Sequence, residues 1–186
     1  LSERSSALLL IADRTAYLYR GDPSALGFWM VRISNFLVYF LTLVVIYTLN
    51  MYAITVSVNE AGYRNPPKRL AAARAVLIVG MILVVVSQPT DLYYTFDETN
   101  TYQRSPGFIV CYLMPIVTLL LQLSVFVTMR RDVRSSIVLP LLAFTILPLV
   151  AAVIQVFTYG ISLINLTLPF SALLLYLFAL DDLNEQ

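Results

Sequence analysis

The 186 residues are 59% hydrophobic and only 12% charged, with a mean hydropathy of +0.80. They carry more apolar surface than a soluble core of this length can hide, so lipid must be the solvent for most of the chain. A net charge of +1 gives no field strong enough to argue for a nucleic-acid partner, while the absence of histidine and the single cysteine, Cys111, exclude an internal disulfide and every His-based metal or acid–base constellation within these residues.

In chain order, Leu1–Ser6 lacks the charged, apolar and small-residue order of a signal peptide, and the missing initiator Met fits a fragment. Ala7–Tyr19 is a first apolar segment, weakened by Asp13 and Arg14. Five stronger ones follow: Phe28–Val58, Ala71–Tyr94, Phe108–Met129, Ile137–Tyr159 and Ile161–Leu180. Crossing a bilayer as a helix takes about 20 residues, and runs of this length are too long for strands. The expected fold is all-α, a polytopic transmembrane helix bundle of about six helices over residues 1–180. Pro89, Pro115, Pro140, Pro148 and Pro169 fall in or at the ends of these helices, where each deletes a backbone hydrogen bond and favours a kink. No internal repeat and no inverted pair of broken helices points to a secondary transporter. In the last segment Leu173, Tyr176, Leu180 and Leu183 keep a three/four spacing through Asp181-Asp182, so the helix is expected to leave the membrane intact, with residues 181–186 beginning a cytoplasmic signalling helix.

Arginine and lysine set the expected orientation, since short basic loops are retained in the cytoplasm. Arg64, Lys68, Arg69 and Arg74 flank one loop and Arg130, Arg131 and Arg134 occupy another; both are assigned inside. The loops holding Arg20 with Asp22, Asp97, Glu98 with Arg104, and Thr158–Ile161 are assigned outside, which places the C-terminus in the cytoplasm of a multi-pass cell-membrane protein.

Ionisable groups in a span cost about 2.5–3.5 kcal/mol each on insertion scales and tend to face the bundle interior. Asp13 is expected to turn inward, toward Arg32 or a polar group of another helix; lying near the headgroups is the structural alternative. Arg32 and Asn35, three apart on one helix face beside Trp29, suit a carboxylate or a peptide-like ligand, or simply an interfacial anchor. The stretch Asp91–Arg104 gathers Tyr93, Tyr94, Asp97, Glu98, Asn100 and Tyr102; its Asp-Glu-Thr-Asn centre is turn chemistry and predicts a small hairpin lid. Asp97 and Glu98 alone are thin grounds for a cation, so no metal or cofactor is expected. Gln88, Gln122, Gln155 and Asn165 are amides in apolar helices, suited to interhelical pairing, with Gln88, Asp91, Tyr94, Gln155 and Tyr159 as further ligand-facing candidates near the outer end.

The strings Arg32-Ile-Ser-Asn-Phe-Leu-Val-Tyr39, Tyr93-Tyr-Thr-Phe-Asp-Glu-Thr-Asn-Thr-Tyr-Gln-Arg-Ser-Pro106, and Gly160-Ile-Ser-Leu-Ile-Asn-Leu-Thr-Leu168 through Leu173-Leu-Leu-Tyr-Leu-Phe178 resemble a family of multi-helix sensory regions. In that family they stand at the N-terminus of bacterial signalling proteins, mainly from anaerobic Firmicutes, ahead of a GGDEF diguanylate cyclase or a histidine kinase. The resemblance implies a seventh helix before Ala7 in the full region, an output enzyme after residue 186, and a homodimer made through that output domain. It implies a sensor of an unknown small-molecule or peptide ligand; a small-solute transporter or channel subunit is the competing reading. A membrane-embedded enzyme ranks last, because no paired acids and no Ser–base pair are apparent.

Overall fold

A computed structural model describes residues 2–157 and 162–184, with the side chains of residues 2, 3, 155–157, 179 and 181–184 left aside. Lipid offers the backbone no hydrogen-bond partners, so apolar runs of this length must satisfy their own amides as helices. The elements are α1 (Ser2–Leu18), α2 (Ala25–Asn59), α3 (Lys68–Thr90), β1 (Tyr94–Phe96), β2 (Tyr102–Arg104), α4 (Phe108–Met129), α5 (Ser135–Phe157) and α6 (Leu163–Asn184). The molecule is an all-α bundle of six helices with one short antiparallel hairpin, Tyr94 opposite Arg104 and Phe96 opposite Tyr102. All five prolines lie inside their helices.

Local chemistry fixes the helix ends. Ser24 caps α2, its hydroxyl accepting from the Gly27 amide at 3.0 Å, while Asp22 accepts from the Ser24 amide at 2.9 Å. Asp91 ends α3 in the left-handed region at φ 51°, a conformation that Asp tolerates.

Each helix packs on the next, and α6 returns to α1, so the six form a closed ring; α2 also touches α4 and α6. At one end the α1–α2 turn meets the hairpin through Gly21 N–H and the Asn100 carbonyl at 3.3 Å. At the other, the basic end, Tyr63 donates to Asp132 at 3.3 Å and Arg134 lies 4.0 Å from Glu60.

Four helices, α2, α3, α4 and α5, are long and apolar enough to cross a membrane, and this is a membrane protein. The two outer members of the expected six fall short of that length among the described residues: α1 has 17 residues and carries Asp13 and Arg14, and the apolar part of α6 is Leu163–Phe178. At about 1.5 Å per residue the 35 residues of α2 span roughly 50 Å, more than the hydrocarbon layer, so α2 projects from it.

Lipid tails are as apolar as leucine, so helix pairing here rests on close fit and buried polar bonds. Ile46, Leu77, Leu119, Phe126, Phe144 and Leu168 are fully or almost fully buried, while Ile11, Ile82, Leu120, Leu139 and Val153 are turned outward. Gly80 lets α3 close on its neighbours: a Cβ there would stand 3.0 Å from Met114 and 3.2 Å from Leu43. Beneath it Asn50 donates to the Leu70 carbonyl at 3.0 Å, and Gln122 donates to Asn50 and to the Ile46 carbonyl, both at 3.3 Å, joining α2, α3 and α4.

Candidate functional site

A cavity of about 590 Å³ opens at the hairpin end among α1, α2, α4, β2 and the first turn of α6. That volume lies within the range of small-molecule sites. Pro115 and Cys111 form part of its α4 wall; proline at 115 frees the Cys111 carbonyl, four residues back, from its helical bond. Tyr39 and Tyr102 meet hydroxyl to hydroxyl at 2.6 Å on another wall, and Tyr112 donates to the Ala152 carbonyl at 2.7 Å, tying α4 to α5. Burial pushes the Tyr102 hydroxyl above its ordinary pKa, against the opposing hydrogen bond from Tyr39.

Asp13 and Asn35 both line this cavity. Asp13 turns inward and finds a polar group of another helix: its Oδ1 accepts from Asn165 Nδ2 at 2.7 Å. The partner is α6, not Arg32. Asn165 in turn stands 3.4 Å from the Thr42 hydroxyl, whose better bond is to the Val38 carbonyl at 2.7 Å; the first distance is marginal. Asn35 donates to the Val31 carbonyl at 2.7 Å and its amide oxygen has no partner among the described residues. Exposed Arg20, Gln103 and Arg104 form the rim, with the Arg104 guanidinium 4.5 Å from the centre of the Phe108 ring.

Arg32 goes elsewhere. It lies between two rings, 3.6 Å from the Phe28 centroid and 4.5 Å from that of Phe96, and donates to Asn100 Oδ1 at 2.6 Å. Asn100 also donates from Nδ2 to the Asp22 carbonyl at 3.0 Å, and holds φ 59°. One buried amide thus joins α2, the α1–α2 turn and the hairpin. Sequence reading placed Asn100 in the loop but gave it no separate role; the signal was an Asn at a turn position, which is where left-handed backbone is tolerated.

Gln88 and Tyr94 bond each other at 3.0 Å, pinning the hairpin to α3, and neither they nor Asp91 lines the cavity. Asp97 closes the hairpin turn, accepting from the Thr99 hydroxyl at 2.7 Å, the Thr101 amide at 2.9 Å, the Thr99 amide at 3.0 Å and Gln103 at 3.2 Å. These bonds, the Thr99 hydroxyl first, hold its carboxyl below the ordinary carboxylate range. Tyr159 lies outside the described residues, as does the side chain of Gln155 on α5. Among the described residues no group of three or more His, Cys, Asp or Glu is arranged to hold a metal.

No protein-family model, no curated protein and no solved structure matches this chain. The class defined by fold and cavity is therefore a polytopic helical membrane protein with a ligand-sized pocket at one end.

Proposed function

We propose that the chain is the sensory part of a membrane signalling protein: a ligand entering the cavity from outside the cell changes how α1 and α6 pack, and α6 carries the change to a cytoplasmic output domain. The observation that carries this reading is the Asp13–Asn165 bond, which puts the cavity wall and α6 in one contact at 2.7 Å. From there α6 runs without a break through Asp181 and Asp182 to Asn184. Leu173, Tyr176 and Leu180 are exposed along it, and the Leu183 side chain lies outside the described residues. A ligand shifts such a helix only by binding one packing better than the other.

The basic end, which carries Arg64, Lys68, Arg69, Arg130, Arg131 and Arg134, supports a cytoplasmic location for that end, since short basic loops are retained inside. The resembling strings support a diguanylate cyclase as output, with a histidine kinase as the alternative, working as a homodimer in the cell membrane.

Spin labels at Ile11 on α1 and Leu173 on α6, both outward-facing, test the reading in lipid vesicles challenged with a library of small polar compounds and peptides. At least one compound is expected to change the label separation, and Asp13→Asn to suppress the change. Compounds that bind the cavity without moving the labels, or that cross the vesicle wall through the protein, would defeat signalling, the latter in favour of transport. Impermeant thiol labelling of Arg131→Cys from outside intact cells would reverse the orientation; buried Cys111 offers little background.

A further inference from the structure

We infer that the ligand of this cavity is a short peptide, about three residues long, bound with its amino terminus at Asp13 and its carboxylate at the Arg20–Arg104 rim; this deepens the sensing reading and rests on it.

The charges lining the cavity are separated, a carboxylate within and guanidinium groups at the mouth. Asp13 makes no ion pair among the described residues, and its second carboxylate oxygen has no hydrogen-bond partner there. Its neighbour Arg14 does not line the cavity and instead lies 5.6 Å from the Tyr17 ring. An uncompensated carboxylate in a membrane bundle is costly, and the cost falls when a cation reaches it. Asn165 holds one oxygen with a neutral donor, which fixes the carboxylate without neutralising it, so the second oxygen is left for a protonated amine.

The opposite sign gathers at the mouth. Arg20 makes no ion pair among the described residues. Arg104 lies with its guanidinium 4.5 Å from the Phe108 ring centre and carries five donors, one of them toward the Tyr102 hydroxyl. Guanidinium groups pair with carboxylates in a planar, two-bond geometry.

Spacing selects the length. Asp13 and Arg20 are seven positions apart, 20 − 13, on α1 and the turn that continues it, so their backbones are separated by about 10 Å along the axis. The ammonium and carboxylate of a free amino acid sit on one carbon and cover less of that separation than the ends of a peptide do. An extended chain covers about 3.3–3.6 Å per residue, so three residues span roughly 10 Å. Between the ends, the unpaired Asn35 amide oxygen can accept a peptide N–H, and the rings of Tyr39, Tyr102 and Tyr112 offer apolar walls with polar tips.

The test is calorimetric binding of trialanine to the chain in lipid nanodiscs, repeated with the α1–α6 spin-label pair. N-acetyl-trialanine and Asp13→Asn are each expected to weaken binding about ten- to hundredfold, the worth of a charge-assisted bond. Asp13→Asn keeps an oxygen for Asn165, so its fold is retained. Trialanine amide and the Arg20→Gln, Arg104→Gln double variant should lose a comparable factor, and free alanine should bind more weakly than trialanine. Saturable binding indifferent to both end-blocking groups would overturn the inference. So would absence of binding at millimolar peptide; if the labels still respond to another compound, the sensing reading survives that failure. Trialanine that binds as expected while the labels stay still upholds the peptide site and removes the signalling role.

Discussion

Asp13 and Asn165 are 152 positions apart in the chain and 2.7 Å apart in the fold. The bond closes the ring of helices where α6 meets α1, next to the mouth of the cavity. Asn165→Ala removes it and the weaker Thr42 contact. Amide bonds between membrane helices are worth about 0.6–2 kcal/mol, and a charged acceptor places this one toward the upper part of that range. Thermal unfolding in detergent should show a loss of about 1–2 kcal/mol. Amide exchange should quicken along α1 and the first turn of α6, and stay unchanged where α2, α3 and α4 join at Asn50. Uniform acceleration through all six helices would mean that the bond is not a local clasp.

Asn100 serves two functions that two substitutions separate. Its side chain bridges Arg32 and the Asp22 carbonyl, and its backbone sits at φ 59°. Asn100→Gly keeps the backbone at ease and loses the bridge; Asn100→Ala loses the bridge and adds the left-handed penalty of about 1–2 kcal/mol. The alanine variant should therefore be the less stable by about 1 kcal/mol or slightly more, with both showing faster exchange at hairpin amides Tyr94–Arg104. Equal stabilities would show that the hairpin rebuilds its turn once the side-chain bridge is gone.

What could be read from the sequence followed from what lipid and turns impose locally. Six helices, their order and the hairpin between Tyr94 and Arg104 came from run lengths and from Asp-Glu-Thr-Asn, since long apolar runs have one answer in lipid and Asp at such a turn has few. The inward face of Asp13 was legible because a carboxylate in an apolar helix is costly elsewhere. Its partner was not: nothing local to Asp13 distinguishes Asn165 from Arg32, and only the return of α6 to α1 makes the choice. Likewise Arg32 and Asn35 share a helical face in sequence, yet Arg32 is drawn to the hairpin by Phe28, Phe96 and Asn100, leaving Asn35 to the cavity. The Asn50 contact with Gln122 escaped notice because Asn50 stands in an unbroken apolar run with no spacing signal of its own.

Asp97 gives the hairpin a dependence on acid. Its folded carboxyl ionises below the ordinary range because the Thr99 hydroxyl and the Thr101 amide stabilise the charged form. A depressed folded value means that the stabilisation is fully present above the unfolded pKa of about 3.9 and is lost as pH falls through the lower folded value. Amide shifts of Thr99 and Thr101, followed by NMR in nanodiscs, should hold steady down to about pH 4 and move together below it. Asp97→Asn, which keeps one acceptor oxygen but cannot titrate, should flatten both curves. A transition well above that pH would assign the titration to another group.

Asn50 and Gln122 offer the sharpest measure of how much buried amides hold this bundle together. Asn50 is fully buried and serves two partners, the Leu70 carbonyl at 3.0 Å and Gln122 at 3.3 Å; Gln122, equally buried, leaves its Oε1 without a partner. Removing one member of such a pair leaves the other unsatisfied, whereas replacing both removes the need. Asn50→Leu should therefore cost about 1–2 kcal/mol, since it leaves the Gln122 donor with the Ile46 carbonyl alone and frees the Leu70 carbonyl from its side-chain donor. Gln122→Leu should cost less, because it also eliminates a buried oxygen that already lacks a partner. The double variant should be less destabilised than the sum of the two, with a coupling of about 0.6–1.7 kcal/mol in a double-mutant cycle followed by steric trapping or thermal unfolding. Strict additivity would mean that the 3.3 Å contact carries no energy, and that close packing around Gly80, rather than the amide chain, holds α2, α3 and α4 together.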